Sequence, residues 1–213
     1  MIDVSYIDIK TKEILDNGYI LALPTETVYG LGIRWDDQSA YKRLYQLKKR
    51  KPTKPIAVMC GTNFDFDHWF VISENVKRVM NTFLPGPLTI LIKAKAGVPF
   101  QATLGTNVVG IRIPKKKDLL DFLNGLSYPL QVTSANLSGK DALSDYDDVK
   151  ECFKNDSSLK GIIKGTCDSS IPTTVVDLSG KEPRLVRQGE IQFEEIKKAY
   201  FGKGTTYENR IRM

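Results

Sequence analysis

The chain has 213 residues, 41% hydrophobic and 26% charged, enough apolar side chain for the core of one domain. Its 31 Lys and Arg outnumber 25 Asp and Glu, and the net charge of +6 suits phosphate-bearing ligands or nucleic acid. A single histidine, His68, excludes a zinc site built on two or three imidazoles. Cys60, Cys152 and Cys167 are widely spaced with no C-x-x-C pair, which argues against a disulfide framework or a zinc knuckle. No apolar run approaches the roughly 20 residues of a membrane span. Met1 to Ser5 has neither the basic start nor the apolar stretch of a signal peptide, so a cytoplasmic protein is expected. His68 sits among Phe66, Trp69 and Phe70 and reads as a packed histidine rather than a triad base.

In chain order, Ile7 to Asn17 reads as a helix, with Ile14 and Leu15 on its apolar face and Gly18 at its stop. Tyr19-Ile20-Leu21-Ala22-Leu23 reads as a buried strand, ended by Pro24, which cannot extend a ladder. A second strand covers 28–33, where Gly30 and Gly32 suit close backbone approach. Asp36 and Asp37 cap a helix over 38–49, on which Ala40, Leu44 and Leu47 recur at helical spacing. Strand 56–59 follows, then a helix from Glu74 to Phe83 stopped by Pro85-Gly86-Pro87. Strands are expected at Leu88–Lys93 and Val108–Ile113, a short helix at Leu119–Leu126, and a strand at Leu130–Thr133. A helix near 146–153, strands near 161–164, 174–178 and 184–187, and a helix from Phe193 to Phe201 complete the core. The irregular alternation predicts an α/β domain, a twisted open sheet of mixed parallel and antiparallel strands with flanking helices. One domain is expected over 1–201, with 202–213 as a flexible polar tail.

Several segments carry candidate chemistry. Pro24-Thr25-Glu26-Thr27-Val28-Tyr29-Gly30-Leu31-Gly32 puts three hydroxyls and a carboxylate on a tight connection at a strand end, where open α/β sheets bind ligands. Lys48, Lys49, Arg50, Lys51 and Lys54 cluster at the C-terminal end of a helix whose dipole cations complement. Such runs also serve as solvated faces, and Lys115-Lys116-Lys117 is a second one. Ser134-Ala135-Asn136-Leu137-Ser138-Gly139 can donate to phosphate oxygens, or simply close its own turn. Arg112 lies in an apolar strand and calls for a carboxylate, either internal or on a ligand. Thr173-Thr174 opens one strand and Arg187 ends another. Neither G-x-x-x-x-G-K-[ST] nor G-x-G-x-x-G occurs, so a nucleotide would be held by another route.

Taken in order, PTETVYGLG at 24–32, K-x-R at Lys48 and Arg50, PGPLT at 85–89, R-x-P at Arg112, SANLSG at 134–139 and TTVVDL with LVRQG over 173–189 resemble the YrdC-like family of threonylcarbamoyl-AMP synthases, in its single-domain type. The resemblance implies a YrdC-like fold and a nucleotidyltransferase. Such an enzyme converts L-threonine, bicarbonate or carbon dioxide, and ATP to threonylcarbamoyl-AMP and pyrophosphate. ATP is then a substrate accompanied by magnesium, with no resident metal site. The product would serve a downstream tRNA threonylcarbamoyl-transferase complex that modifies an adenosine of tRNA. By the same resemblance Lys48, Arg50, Ser134 and Asn136 match the K-x-R and S-x-N signature and hold the ATP phosphates and the developing charge. Lys54 and Arg187 belong to the nucleotide side. Thr27, Arg112 and Thr173 fall at positions associated with L-threonine, with Arg112 clamping the amino-acid carboxylate. This chemistry needs positioning and charge neutralisation rather than a covalent nucleophile.

The chain departs from the family pattern in three places. Leu84 stands where many members have tryptophan, Thr173 where many have serine, and Met59 where some have a histidine that helps hold threonine. Two-domain members continue for about another hundred residues by that resemblance. Other readings are a sister group of the same fold that lacks the S-A-N and K-x-R elements, and a carbamoyl-transfer module from a larger maturation protein. A non-catalytic module binding tRNA or double-stranded RNA through phosphate contacts is a reading of a different class. Aromatics do not interleave with the lysine runs as single-strand stacking requires.

Overall fold

The computed structural model describes residues 1–6, 8–51 and 55–202. Among these, eleven strands form one sheet. The strands are β1 (Ile2–Val4), β2 (Ile20–Leu23), β3 (Gly30–Arg34), β4 (Val58–Met59), β5 (Phe70–Val71), β6 (Leu88–Ala94), β7 (Val108–Arg112), β8 (Leu130–Ser134), β9 (Leu159–Ile163), β10 (Thr174–Asp177) and β11 (Arg184–Arg187). The helices are α1 (Ile9–Asp16), α2 (Gln38–Leu47), α3 (Phe66–Trp69), α4 (Glu74–Phe83), α5 (Phe100–Thr103), α6 (Lys117–Gly125), α7 (Tyr146–Phe153) and α8 (Phe193–Phe201).

The strand order is β1-β9-β2-β3-β8-β4-β7-β6-β10-β11, with β5 paired to β6. Four pairs are parallel (β1 with β9, β2 with β9, β4 with β7, β6 with β10) and the others antiparallel, so the open mixed sheet expected from the sequence is the one observed. Strand β2 explains its unbroken apolar run. Leu21 and Leu23 enter one core cluster, Ile20 and Ala22 another, because both sheet faces are covered. Helix α2 starts where Asp37 accepts from the backbone N–H groups of Ser39 and Ala40, and it buries Ala40, Leu44 and Leu47.

Four short elements have no clear counterpart in the sequence reading: β1, α3, β5 and α5, each of two to four residues. A period cannot register over so few positions. Helix α1 begins at Ile9, and Ile7 lies outside the described residues, as do 203–213 of the expected tail. Strand β3 begins at Gly30 because the Tyr29 N–H donates to Leu143 O instead of a ladder partner. His68 is exposed, edge-on to Trp69 at 4.8 Å between ring centroids, and not packed inside. Asp65 caps α3 by accepting from the His68 backbone N–H.

The rung Leu23–Gly30–Ser134 fixes the site. It sets the 24–29 connection beside the turn that follows β8. A side chain at Gly30 would meet Val132 Cγ1 at 2.6 Å, so this rung closes only around glycine.

Candidate active site

A cavity of about 480 Å³ opens over this rung, lined among others by Thr25, Thr27, Arg50, Thr89, Arg112, Ser134, Thr173 and Arg187. Residues from seven separated stretches of the chain thus meet at one place. Arg112, at the end of β7, donates from Nη2 to Thr27 Oγ1 at 2.9 Å and to Thr25 Oγ1 at 3.3 Å. The same nitrogen lies 3.0 Å from Glu26 Oε1. Arg112 thus has the internal carboxylate that its place in an apolar strand called for, and it also lines the cavity. Its buried Nε has no hydrogen-bond partner among the described residues.

Across the cavity, Arg187 donates from Nε and Nη2 to Thr173 O, at 3.0 and 2.8 Å, and from Nη2 to Thr173 Oγ1 at 2.9 Å. Thr173 Oγ1 lies 3.0 Å from Thr89 Oγ1. Burial, and after it the charge of Arg112, push the Arg187 guanidinium below its ordinary pKa. Two cations facing one hydroxyl-lined space form a site for an anion.

The signature residues divide. Ser134 and Arg50 line the cavity; Lys48 and Asn136 stand behind it. Lys48 is 1% exposed, so the basic run is not a solvated face at its first residue. Its Nζ donates to Ser134 O at 2.5 Å and to Asn136 O and Oδ1 at 2.8 Å each. Ser134 Oγ donates to the same Asn136 Oδ1 at 2.6 Å. Asn136 Nδ2 in turn donates to Lys140 O at 2.6 Å. The ammonium thus knots the turn whose oxygens it touches. Burial, and secondarily the charge of Arg50, hold its pKa down at about 7. Arg50 donates to Pro55 O at 3.1 Å and lies over the Tyr45 ring. Lys54 falls outside the described residues.

Some contributors were not assigned from sequence. Thr89 brings a hydroxyl beside Thr173, and the clue was its place in PGPLT; Thr25, counted from sequence among the hydroxyls of the 24–29 connection, lies beside Thr27. Gly189 was read only as part of a strand end. A Cβ there would meet Thr174 N at 2.3 Å and Pro172 O at 2.4 Å, so the turn after β11 presses backbone to backbone on the segment that presents Thr173. Met59 is core, 2% exposed, and does not line the cavity. Cys60 is buried and Cys152 exposed, and the thiols are free. No group of three or more His, Cys, Asp or Glu among the described residues could hold a metal. No described helix is long and apolar enough to cross a membrane.

The fold is shared with solved structures of a known family. Residues 13–189 match the Sua5/YciO/YrdC family model, whose description reads "Telomere recombination", and the chain belongs to that family. A Methanocaldococcus jannaschii relative, provisionally named a threonylcarbamoyl-AMP synthase, is 32% identical over 187 residues, covering 87% of this chain and 86% of the relative. The Pyrococcus abyssi threonylcarbamoyl-AMP synthase is 32% identical over 186 residues, covering 85% of this chain, which spans only 53% of that protein. Among solved structures, P. abyssi Sua5 complexed with L-threonine aligns with TM-score 0.81 and 30% identity over 93% of this chain and 60% of its own. Escherichia coli YciO aligns with TM-score 0.79 and 25% identity over 88% of this chain and 91% of its own.

Proposed function

We propose that the chain is an L-threonylcarbamoyladenylate synthase, using L-threonine, bicarbonate or carbon dioxide, and ATP. The observation that carries this reading is the single cavity in which Arg112, with its unpartnered Nε, and the Arg187–Thr173 pair face Arg50 and Ser134. One end of the cavity suits an amino-acid carboxylate and hydroxyl, the other a polyphosphate. The Lys48-x-Arg50 and Ser134-x-Asn136 elements favour the synthases over the sister group that lacks them.

In this reading the threonine carboxylate pairs with the Arg112 guanidinium on the cavity wall, and Thr25, Thr27 and Thr173 surround its hydroxyl. The threonine nitrogen bonds to the carbon of carbon dioxide and loses a proton, giving a carbamate. A carbamate oxygen then attacks the α-phosphorus of ATP; the bond to the bridging oxygen breaks and pyrophosphate leaves. Arg50 and Arg187 neutralise charge as it develops, Ser134 lines the phosphate end, and Lys48 holds the 134–136 turn in shape beneath the phosphates. Magnesium would arrive on the triphosphate, since the described residues offer no cluster to retain it. Selection of threonine over serine rests on one methyl group and is worth about 1–3 kcal/mol. The product would pass to a transferase acting on tRNA, in the cytoplasm. Calorimetric titration tests the two halves separately. L-threonine binding lost in Arg112→Ala, with ATP binding lost in Arg50→Ala, is the expected pattern, and retention of both ligands by both variants would defeat it.

A further inference from the structure

The 24–29 connection carries one carboxylate, Glu26, to which the mechanism above gives no task. Glu26 is 9% exposed, and neither of its carboxylate oxygens has a hydrogen-bond partner among the described residues. Its contact with Arg112 Nη2 brings the charges to 3.0 Å without hydrogen-bond alignment. That nitrogen donates instead to Thr25 and Thr27, while Arg112 Nε stays unpartnered. A buried ion pair is favourable only when its remaining lone pairs and protons are satisfied, and here both partners fall short. Arg112 lines the hydroxyl-rich cavity and Glu26 does not. Glu26 faces a second cavity, of about 500 Å³, with Lys115, Lys116, Lys117 and Asp168. The carboxylate therefore stands behind the guanidinium as seen by an incoming ligand.

We propose that Glu26 is a positioning residue that sets the strength of the amino-acid carboxylate site. It is an internal anion that shares Arg112 with the ligand carboxylate and keeps that ligand's affinity below what the guanidinium alone would give. The inference rests on the reading of the cavity as an L-threonine site. Two carboxylates around one guanidinium repel each other, yet the ligand need not displace Glu26, because Arg112 lines the hydroxyl-rich cavity, Glu26 does not, and Arg112 Nε has no partner among the described residues. Weakened ground-state binding is useful in a synthase, since a site that gripped the amino-acid carboxylate too firmly would retain its product by the same contact.

The test is calorimetric titration of the full chain with L-threonine and with L-threoninamide, which lacks the carboxylate. Glu26→Gln should bind L-threonine about tenfold more tightly than the wild type, and Glu26→Asp, which keeps the charge, should stay within about threefold. L-threoninamide should show no gain in Glu26→Gln. Weaker L-threonine binding in a folded Glu26→Gln variant would overturn the proposal in favour of Glu26 receiving the ligand's ammonium. Unchanged binding would overturn it in favour of a purely structural carboxylate. Glu26→Met, neutral and of similar volume, carries the same expectation if the glutamine variant does not fold, and failure of both neutral variants to fold sinks the proposal. If the wild type itself does not bind L-threonine, the reading of the cavity fails first and this inference with it.

Discussion

Arg187 turns back fourteen residues to hold Thr173, with two bonds to its carbonyl oxygen and one to its hydroxyl. The hydroxyl also contacts Thr89, so β6 and β11 meet at one side chain, just before β10, that is 4% exposed. Thr173→Val keeps the shape and removes the oxygen. A hydrogen bond to a charged group is worth about 1.5–3 kcal/mol, and we expect a loss of stability in that range in urea unfolding. L-threonine affinity should fall by about tenfold or more, from the same energy. Serine at this position should restore both.

Gly189 makes a prediction of a different kind. Its missing Cβ leaves room for Thr174 N and Pro172 O, and backbone atoms cannot swing aside as a side chain can. Gly189→Ala should push the 172–174 segment outward at a cost of about 1–3 kcal/mol, as overpacking does. Threonine binding should weaken although no ligand-facing group has changed. Thermal unfolding and titration on the same sample check both effects.

Removing Arg112 leaves the Glu26 carboxylate buried without its counter-ion. Arg112→Ala should therefore cost about 3–5 kcal/mol of stability, the usual penalty for breaking a buried pair from one side. The double variant Arg112→Ala with Glu26→Gln should recover most of that loss, because the orphaned charge is gone. It should not recover L-threonine binding. Denaturant midpoints of the four proteins in this cycle give the answer.

Lys48 predicts a pH dependence. Its amine titrates at about 7 in the folded chain, because of burial and then of Arg50, against an ordinary value of 10.5. Between these two pH values the unfolded chain holds a proton that the folded chain has released. Stability therefore rises with pH across that window and levels off beyond it. Lys48→Met removes the group and should flatten the rise. Melting temperatures taken from pH 6 to about pH 10.5 in both proteins test the sign.

Much of this site was legible because its parts are chemically unusual where they stand. An arginine in an apolar strand announced Arg112, and a proline after a buried strand announced the 24–29 connection. Those signals are local. The pairing of Glu26 with Arg112, separated by more than eighty positions, exists only through the register of β4, β7 and β8, and no window of sequence contains it. The burial of Lys48 was hidden for a related reason. Its neighbours Lys49 and Lys51 are exposed, and the run reads as surface until the 134–136 turn closes over its first residue. The shortest elements, β5 and α3 among them, owe their state to pairing and capping rather than to any period of their own.

The most direct test of the account is pyrophosphate release from ATP by the full chain, with L-threonine and bicarbonate added singly and together. The account predicts release only with both, stronger with L-threonine than with L-serine, and lost in Arg112→Ala and Arg50→Ala. A folded chain that binds ATP and L-threonine yet releases no pyrophosphate would contradict it.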